Sequence, residues 1–195
     1  MTGMTTAHLV NALDDRFMDL ERYHGERGSR LAAESHTAAV DCIERIVTRE
    51  RIACDFTRLD GYLFCAPEHD ESYLDQELAA VHRAGLQNVA KIGGAPVSFE
   101  TGPCLRFPNQ AQFHPLKYLA GIAEAIARAG GRIYTQTHAT EMDGGKDAHV
   151  KTEGGHTIRA GSVVVATNTP VNDRVVVHTK QAPYMTYVVG APVKK

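Results

Sequence analysis

The chain lacks a large net charge of either sign, a long apolar run and any close pair of cysteines, and each absence removes a class of function. Twenty-one basic residues against 23 acidic ones leave a formal charge of −2, without the basic excess that neutralises phosphates or anionic lipid. No nucleic acid and no membrane surface is therefore expected as a partner. No apolar stretch approaches the roughly 18 residues of a spanning helix, and Met1 to Val10 has no basic segment followed by an apolar signal core. The expected location is the cytoplasm. Cys42, Cys54, Cys65 and Cys104 are widely spaced, with no C-x-x-C pair, in a chain too large to need disulfide staples. All four read as free thiols. The chain has 10 histidines but no H-E-x-x-H motif and no Cys/His cluster at ligand spacing, so no metal site is expected. No acid–base constellation stands out either, and catalytic residues stay unassigned.

What is present alternates between helical and strand periods. Ala12, Leu13, Phe17 and Leu20 recur at helical spacing between Asn11 and Tyr23. After Gly25 a longer helix is expected over Glu26 to Arg49, with Leu31, Ser35, Ala38, Cys42 and Ile46, flanked by Ala39 and Ile43, forming its apolar stripe. Phe56, Leu59, Tyr62 and Phe64 then flank Asp60-Gly61, which reads as a hairpin turn. Asp70 to Ala84 returns to helix before Gly85, and Gly93 to Pro108 reads as loop with one or two edge strands.

His114-Pro115 opens a helix with proline at its first position and Gly130-Gly131 as its stop. A strand at Arg132 to Tyr134 is expected next, then Ala139 to Met142, then a hairpin of Ala148 to Thr152 and His156 to Ala160 joined through Gly154-Gly155. The uninterrupted Val163-Val164-Val165-Ala166 has the pattern of a strand covered on both faces, hence parallel and central. His178 to Val189 is a second β-rich tract.

Two segments suit ligand contact. Ala166-Thr167-Asn168-Thr169-Pro170 sits at the carboxyl end of the expected central strand, where open α/β sheets bind ligands; small residues also suit an ordinary turn. Thr2-Gly3-Met4-Thr5-Thr6-Ala7-His8 offers hydroxyls and backbone N–H groups ahead of the first helix, suited to a phosphate; the same residues also suit a frayed terminus with an ordinary cap.

Taken in order, T-T-A-H-L (Thr5 to Leu9), D-G-Y-L-F (Asp60 to Phe64), F-H-P-L-K-Y-L-A (Phe113 to Ala120), A-G-G-R-I-Y (Ala129 to Tyr134) and V-V-V-A-T-N (Val163 to Asn168) resemble the FAD-dependent oxidoreductases that include D-amino-acid oxidase, glycine oxidase and sarcosine oxidase. The nearest look is to a bacterial branch in which a Rieske iron–sulfur domain often follows, although no Rieske Cys/His ligand pairs occur here. The resemblance implies an α/β (α+β) fold: a partial Rossmann-like FAD domain over 1–53 and 109–174, with an antiparallel substrate-binding sheet inserted over 54–108 and 175–195. It implies FAD as cofactor, contacted by Thr5, Thr6, Ala7 and His8, by the backbone of Ala139, and by Ala166, Thr167 and Asn168. A valine is commoner in the family at the position of Ala139, and a glycine often stands at that of Asn168. Tyr62, Phe64, His114, Tyr184 and Tyr187 are residues that would reach a substrate pocket, with plain core packing as their other reading.

The implied reaction is hydride transfer to flavin from the amine-bearing carbon of a small amine or amino-acid-like substrate. The fingerprint that such a domain opens with is missing: no strand, G-x-G-x-x-G and helix occurs, and the glycine pairs at Gly93, Gly130, Gly144 and Gly154 read as turns. A βαβ unit needs about 30 residues. The expectation is thus an internal piece of the flavoenzyme, beginning after that unit and ending within the second β tract. The alternative is a non-catalytic remnant or binding module that holds no FAD.

Overall fold

The computed structural model describes Gly3 and residues 5–66 and 71–167; the tract from 175 onward, with Tyr184 and Tyr187, lies outside the described residues. The chain forms two compact units, Met1–Ile133 and Tyr134–Lys195. Among the described residues no helix is long and apolar enough to cross a membrane.

The first unit is α+β. Its sheet is built on β4 (Cys104–Gln112), antiparallel to β1 (His8–Leu9), β2 (Thr57–Phe64) and β3 (Ala90–Ile92). β2 runs along β4 for its whole length, so β1, on Gln112 and Ala111, and β3, on Cys104 to Arg106, share the opposite edge. The stretch expected to hold only edge strands therefore supplies the central strand. Its alternation is the reason: Leu105 and Phe107 enter the core at 0% and 1% exposure, while Arg106 between them stays exposed.

The expected Asp60-Gly61 hairpin is instead a β-bulge inside one continuous strand. Leu59 pairs with Gln110 and Gly61 with Phe107, so Asp60 alone faces Pro108 and Asn109. Pro108 has no N–H to give a ladder, and Asn109 takes a left-handed φ of 61°. Gly61 suits the close approach there: an added Cβ would stand 3.1 Å from Cγ of Gln110, a tight contact.

Three helices complete the unit: α1 (Phe17–Glu50), α2 (Glu71–Arg83) and α3 (Pro115–Arg128). α1 is broken at Gly25, whose φ of 70° and ψ of 170° are open to glycine alone, which recovers the two expected helices. The first starts at Phe17 rather than Asn11, because Arg16 leaves the helical region at φ 59° and ψ 146°. The buried stripe of α1 also differs from expectation. Phe17, Ser29, Ala33 and Val40 face inward, whereas Leu31, Ser35, Ala38, Ala39 and Cys42 are exposed. Two apolar arcs compete on this helix, and the one that packs on α2 and the core is buried. Phe17, Ala33, Leu74, Ala80, Val81, Ala84, Val89, Leu105 and Phe107 form the core.

α3 begins at Pro115 and stops before Gly130, as its sequence predicts. None of its residues is buried, and Leu116, Leu119 and Ile126 are exposed.

The second unit holds a three-stranded antiparallel sheet, β5 (Ala139–Asp143), β6 (His149–Thr152) and β7 (Thr157–Arg159), in that order. The β6–β7 hairpin turns through Gly154-Gly155 as expected, closed by the 2.9 Å bond from the Thr152 N–H to the His156 carbonyl. Two expected strands are absent among the described residues. Arg132 to Tyr134 is irregular and exposed, and Ser162 to Ala166 is irregular and, apart from the half-buried Val163, exposed, with Val164 86% exposed. A strand exists through its neighbours' hydrogen bonds, and among the described residues none pairs with either stretch.

Candidate functional site

In the first unit Thr5, Thr6 and Ala7 line an open groove of about 420 Å³ with Gly3, Asp55 and Gln112 to Pro115. β4 positions them. The Phe113 N–H donates to the Ala7 carbonyl at 3.3 Å, and His8 and Leu9 pair with Gln112 and Ala111. Ala7 is held at φ 65° and Asp55, across the groove, at φ 56°. Left-handed backbone at two non-glycine residues is a strained arrangement that persists only where the surroundings hold it. The Ala7 N–H accepts local help, donating to Oγ1 of Thr5 at 3.3 Å.

The groove ends at the N-terminus of α3. His114 is the cap residue; its Nδ1 accepts the Lys117 N–H at 3.4 Å, and its own N–H donates to the Cys54 carbonyl at 2.7 Å. In the neutral ring the proton then sits on Nε2. Lys117 Nζ lies 2.6 Å from Asp55, and this hydrogen bond and charge hold the Asp55 carboxyl below the usual aspartate range. The one carboxylate in the groove is thereby neutralised beside a helix terminus that favours anions.

On the sheet, Tyr62 stands directly across from Arg106. The same register puts Phe64 on their face and Leu63, Leu105 and Phe107 on the core face. Phe64 packs edge-on against Phe99, with ring centroids 6.3 Å apart and planes at 74°. Arg106 pairs loosely with Asp60 at 3.9 Å.

The remaining sequence-predicted contacts fall in the second unit. Ala139 is half-buried at the start of β5, opposite Thr152. Ala166 and Thr167 are exposed, and Asn168 lies outside the described residues. The structure therefore gathers Thr5, Thr6 and Ala7 into one groove, places His8 on the adjoining strand, and leaves Ala139 apart from Ala166 and Thr167 in sequence and in secondary structure.

Several polar contacts escape a reading of the sequence. Asn11 and Gln110 bond side chain to side chain across 99 positions, and Arg58 joins Asp41 and Glu44 of α1, at 2.6 Å each, to the Asn109 carbonyl at the bulge, also at 2.6 Å. No spacing rule pairs residues so far apart. Glu141, Asp143 and His149 converge on the β5–β6 face with ligand atoms within 4.8 Å of one another; Lys151 already neutralises Glu141 at 2.9 Å.

The fold is shared with two enzymes of known structure. Glycine oxidase from Geobacillus kaustophilus superposes with a TM-score of 0.65 over 85% of this chain and 45% of its own, at 17% identity. L-Amino acid deaminase from Proteus myxofaciens, in complex with anthranilate, gives 0.59 over 82% of this chain and 35% of its own, at 14% identity. The chain belongs to the FAD dependent oxidoreductase family, whose model matches residues 2–193. Among curated relatives it is 31% identical to the putative Rieske 2Fe-2S iron-sulfur protein YhfW of Bacillus subtilis (strain 168), over 88% of this chain and 34% of that protein. It is 24% identical to gamma-glutamylputrescine oxidoreductase of Escherichia coli (strain K12), over 89% of this chain and 42% of that protein. The chain thus spans between a third and a half of the length of these relatives.

The groove fits part of the family's cofactor. Two threonine hydroxyls, a side chain no larger than methyl at Ala7 and the N-terminus of α3 suit an anionic, extended ligand lying against backbone, and no unpaired negative charge among the described groove residues opposes it.

Proposed function

We propose that this chain is part of an FAD-dependent oxidoreductase that oxidises a small amine or amino-acid-like molecule. The observation that carries this reading is the Thr5–Ala7 segment, held in a left-handed turn against β4 beside the N-terminus of α3, in a chain matched by the family over nearly its whole length. Bound FAD supplies the acceptor for a hydride from the amine-bearing carbon. The chain's own residues bind and orient.

Thr5, Thr6, Ala7 and His8 are the proposed contacts in the first unit, the hydroxyls and backbone N–H groups serving as donors. Ala139, Ala166, Thr167 and Asn168 are the proposed contacts further along, Ala139 through its backbone. Residues 1–53 and 109–174 are assigned to the FAD half and 54–108 with 175–195 to the substrate half. The boundary falls within β4, so the two halves share a strand. The Tyr62, Phe64 and Arg106 face of the sheet is the proposed substrate side: aromatic rings exclude water from the reacting carbon, and the guanidinium donates to a polar group of the substrate. The four cysteines are free thiols, which supports the cytoplasm as the proposed location.

The test is absorbance and FAD titration of this chain and of the product of the longest open reading frame that contains it. A flavin band retained through gel filtration by the longer product supports the reading. A longer product that stays colourless in excess FAD overturns it in favour of a non-catalytic module of the same fold.

A further inference from the structure

We propose that Gln110 and Asn11 form a side-chain clamp that positions the Thr5–His8 segment for the flavin, an inference that rests on reading that segment as a cofactor contact. The clamp stands where the backbone ladder runs out. β1 pairs with β4 only through His8 with Gln112 and Leu9 with Ala111. Beyond Gln110 the central strand turns aside at its bulge, where Pro108 lacks an N–H and Asn109 is left-handed at φ 61°.

The Gln110 side chain, itself a primary amide, continues the pairing. Its Oε1 accepts the Asn11 N–H at 2.7 Å, as a main-chain carbonyl would. Its Nε2 donates to Oδ1 of Asn11 at 2.8 Å and to the Pro108 carbonyl at 2.9 Å. The two amides close a ring, and the bulge is tied into it. On the far side, Nδ2 of Asn11 donates to Oγ1 of Thr37 at 2.9 Å, and that hydroxyl donates to the Ala33 carbonyl at 2.8 Å. Asn11 is thereby fixed from α1 and β4 together.

At the centre of this chain of bonds Gln110 is buried, 1% exposed, with both functional atoms of its amide bonded, while Asn11 and Thr37 are half-buried. A satisfied polar network in such a place rigidifies what it joins, whereas an apolar side chain of similar size fills the space without setting direction. Residue 11 lies three positions after His8, and the Ala7 carbonyl itself accepts the Phe113 N–H. The chain that leaves the strained turn at Ala7 is thus held at Ala7 itself, through β1 and at Asn11, by contacts within the protein alone. Preorganisation of this kind strengthens binding by removing the ordering cost from the binding step. Gln110 and Asn11 act through the segment they hold; they are positioning residues.

The experiment uses the longest open reading frame that contains the chain, as wild type, Gln110→Leu and Gln110→Glu. FAD dissociation constants, the visible circular dichroism of the bound flavin and the melting temperature without FAD are measured together. Gln110→Leu is expected to weaken FAD roughly tenfold, by loss of the directed bonds, and to change the dichroism of the flavin that remains bound. Gln110→Glu keeps the acceptor for the Asn11 N–H but loses both donor bonds, so weaker FAD binding is expected there too; it carries the test if the leucine variant does not fold. Variants that melt lower yet bind FAD within twofold of wild type, with unchanged dichroism, overturn the clamp while leaving the flavin reading intact. A wild-type protein that binds no FAD overturns both.

Discussion

Glu77 of α2 caps α1 at Phe17: its Oε1 accepts the Phe17 N–H at 2.8 Å and its Oε2 the Met18 N–H at 3.0 Å. The first turn of α1 has no cap of its own, since Arg16 makes no side-chain bond there. A carboxylate 1% exposed, from another helix, satisfies two of its free donors and complements the helix dipole. Replacing Glu77 with leucine buries those two N–H groups without partners. The expected loss is about 2–4 kcal/mol in denaturant unfolding, from the desolvation of two unmet donors. Glu77→Gln, which keeps one acceptor, is expected to lose less. Equal stability of all three proteins would contradict the capping role.

Gly121 on α3 sits so close to Ile52 that an added Cβ would lie 2.5 Å from Cγ2 and 2.8 Å from Cγ1. Glycine to alanine in a helix ordinarily stabilises by about 1 kcal/mol. Here both near-backbone branches of Ile52 are in the way, so no rotation of that side chain clears the space. Gly121→Ala is expected to destabilise, and Ile52→Ala in the same chain to restore the helical gain. Thermal unfolding of the two single variants and the double variant decides the sign.

The Lys117–Asp55 pair at the groove has a pH signature. The Asp55 carboxyl is held below its usual range by the hydrogen bond and charge of Lys117, so it binds protons less readily folded than unfolded. Its contribution to stability is present above the ordinary aspartate pKa of about 3.9 and is lost as pH falls through the lowered folded value. In Lys117→Met the dependence of melting temperature on pH below about 5 should be shallower than in wild type. Parallel curves for the two proteins would count against the pair.

The thiols should separate by burial. Cys54 and Cys104 are buried, and desolvation raises both thiol pKa values, whereas Cys42 is exposed on α1. Under native conditions a thiol reagent is expected to modify Cys42 well before Cys54 or Cys104, with mass spectrometry reading the order. Prior modification of Cys104 would mean that the β2–β4 pairing opens readily.

The elements that could be read from the sequence are those set by local chemistry. Pro115 and the Gly130 stop bound α3, Gly25 divides α1, and Gly154-Gly155 turns the β6–β7 hairpin, because each depends on residues within a few positions. Long-range pairing decided the rest. Asp60-Gly61 is a good hairpin turn in isolation but becomes a bulge because β4 is long enough to pair on both sides of it. The V-V-V-A run has the composition of a central strand, yet no described strand lies beside it. The stripe on α1 was ambiguous by composition, and its neighbours chose between two arcs. Thr5 to Ala7 could be picked out as ligand-suited from residue type, but the left-handed turn at Ala7 and the Asn11–Gln110 clamp that follows it depend on partners about 100 residues away.

The most direct measurement is FAD affinity in the product of the longest open reading frame that contains this chain, comparing wild type with Ala7→Val. A β-branched side chain is strongly disfavoured at the Ala7 φ of 65°, and it would narrow the groove where the cofactor is proposed to lie. The predicted result is a yellow wild-type protein and at least roughly tenfold weaker FAD binding in the variant, because the valine either fills the groove or moves the turn from its folded position. A wild-type protein without flavin in excess FAD, or a valine variant that binds as tightly as wild type, would contradict the placement of the flavin at this segment.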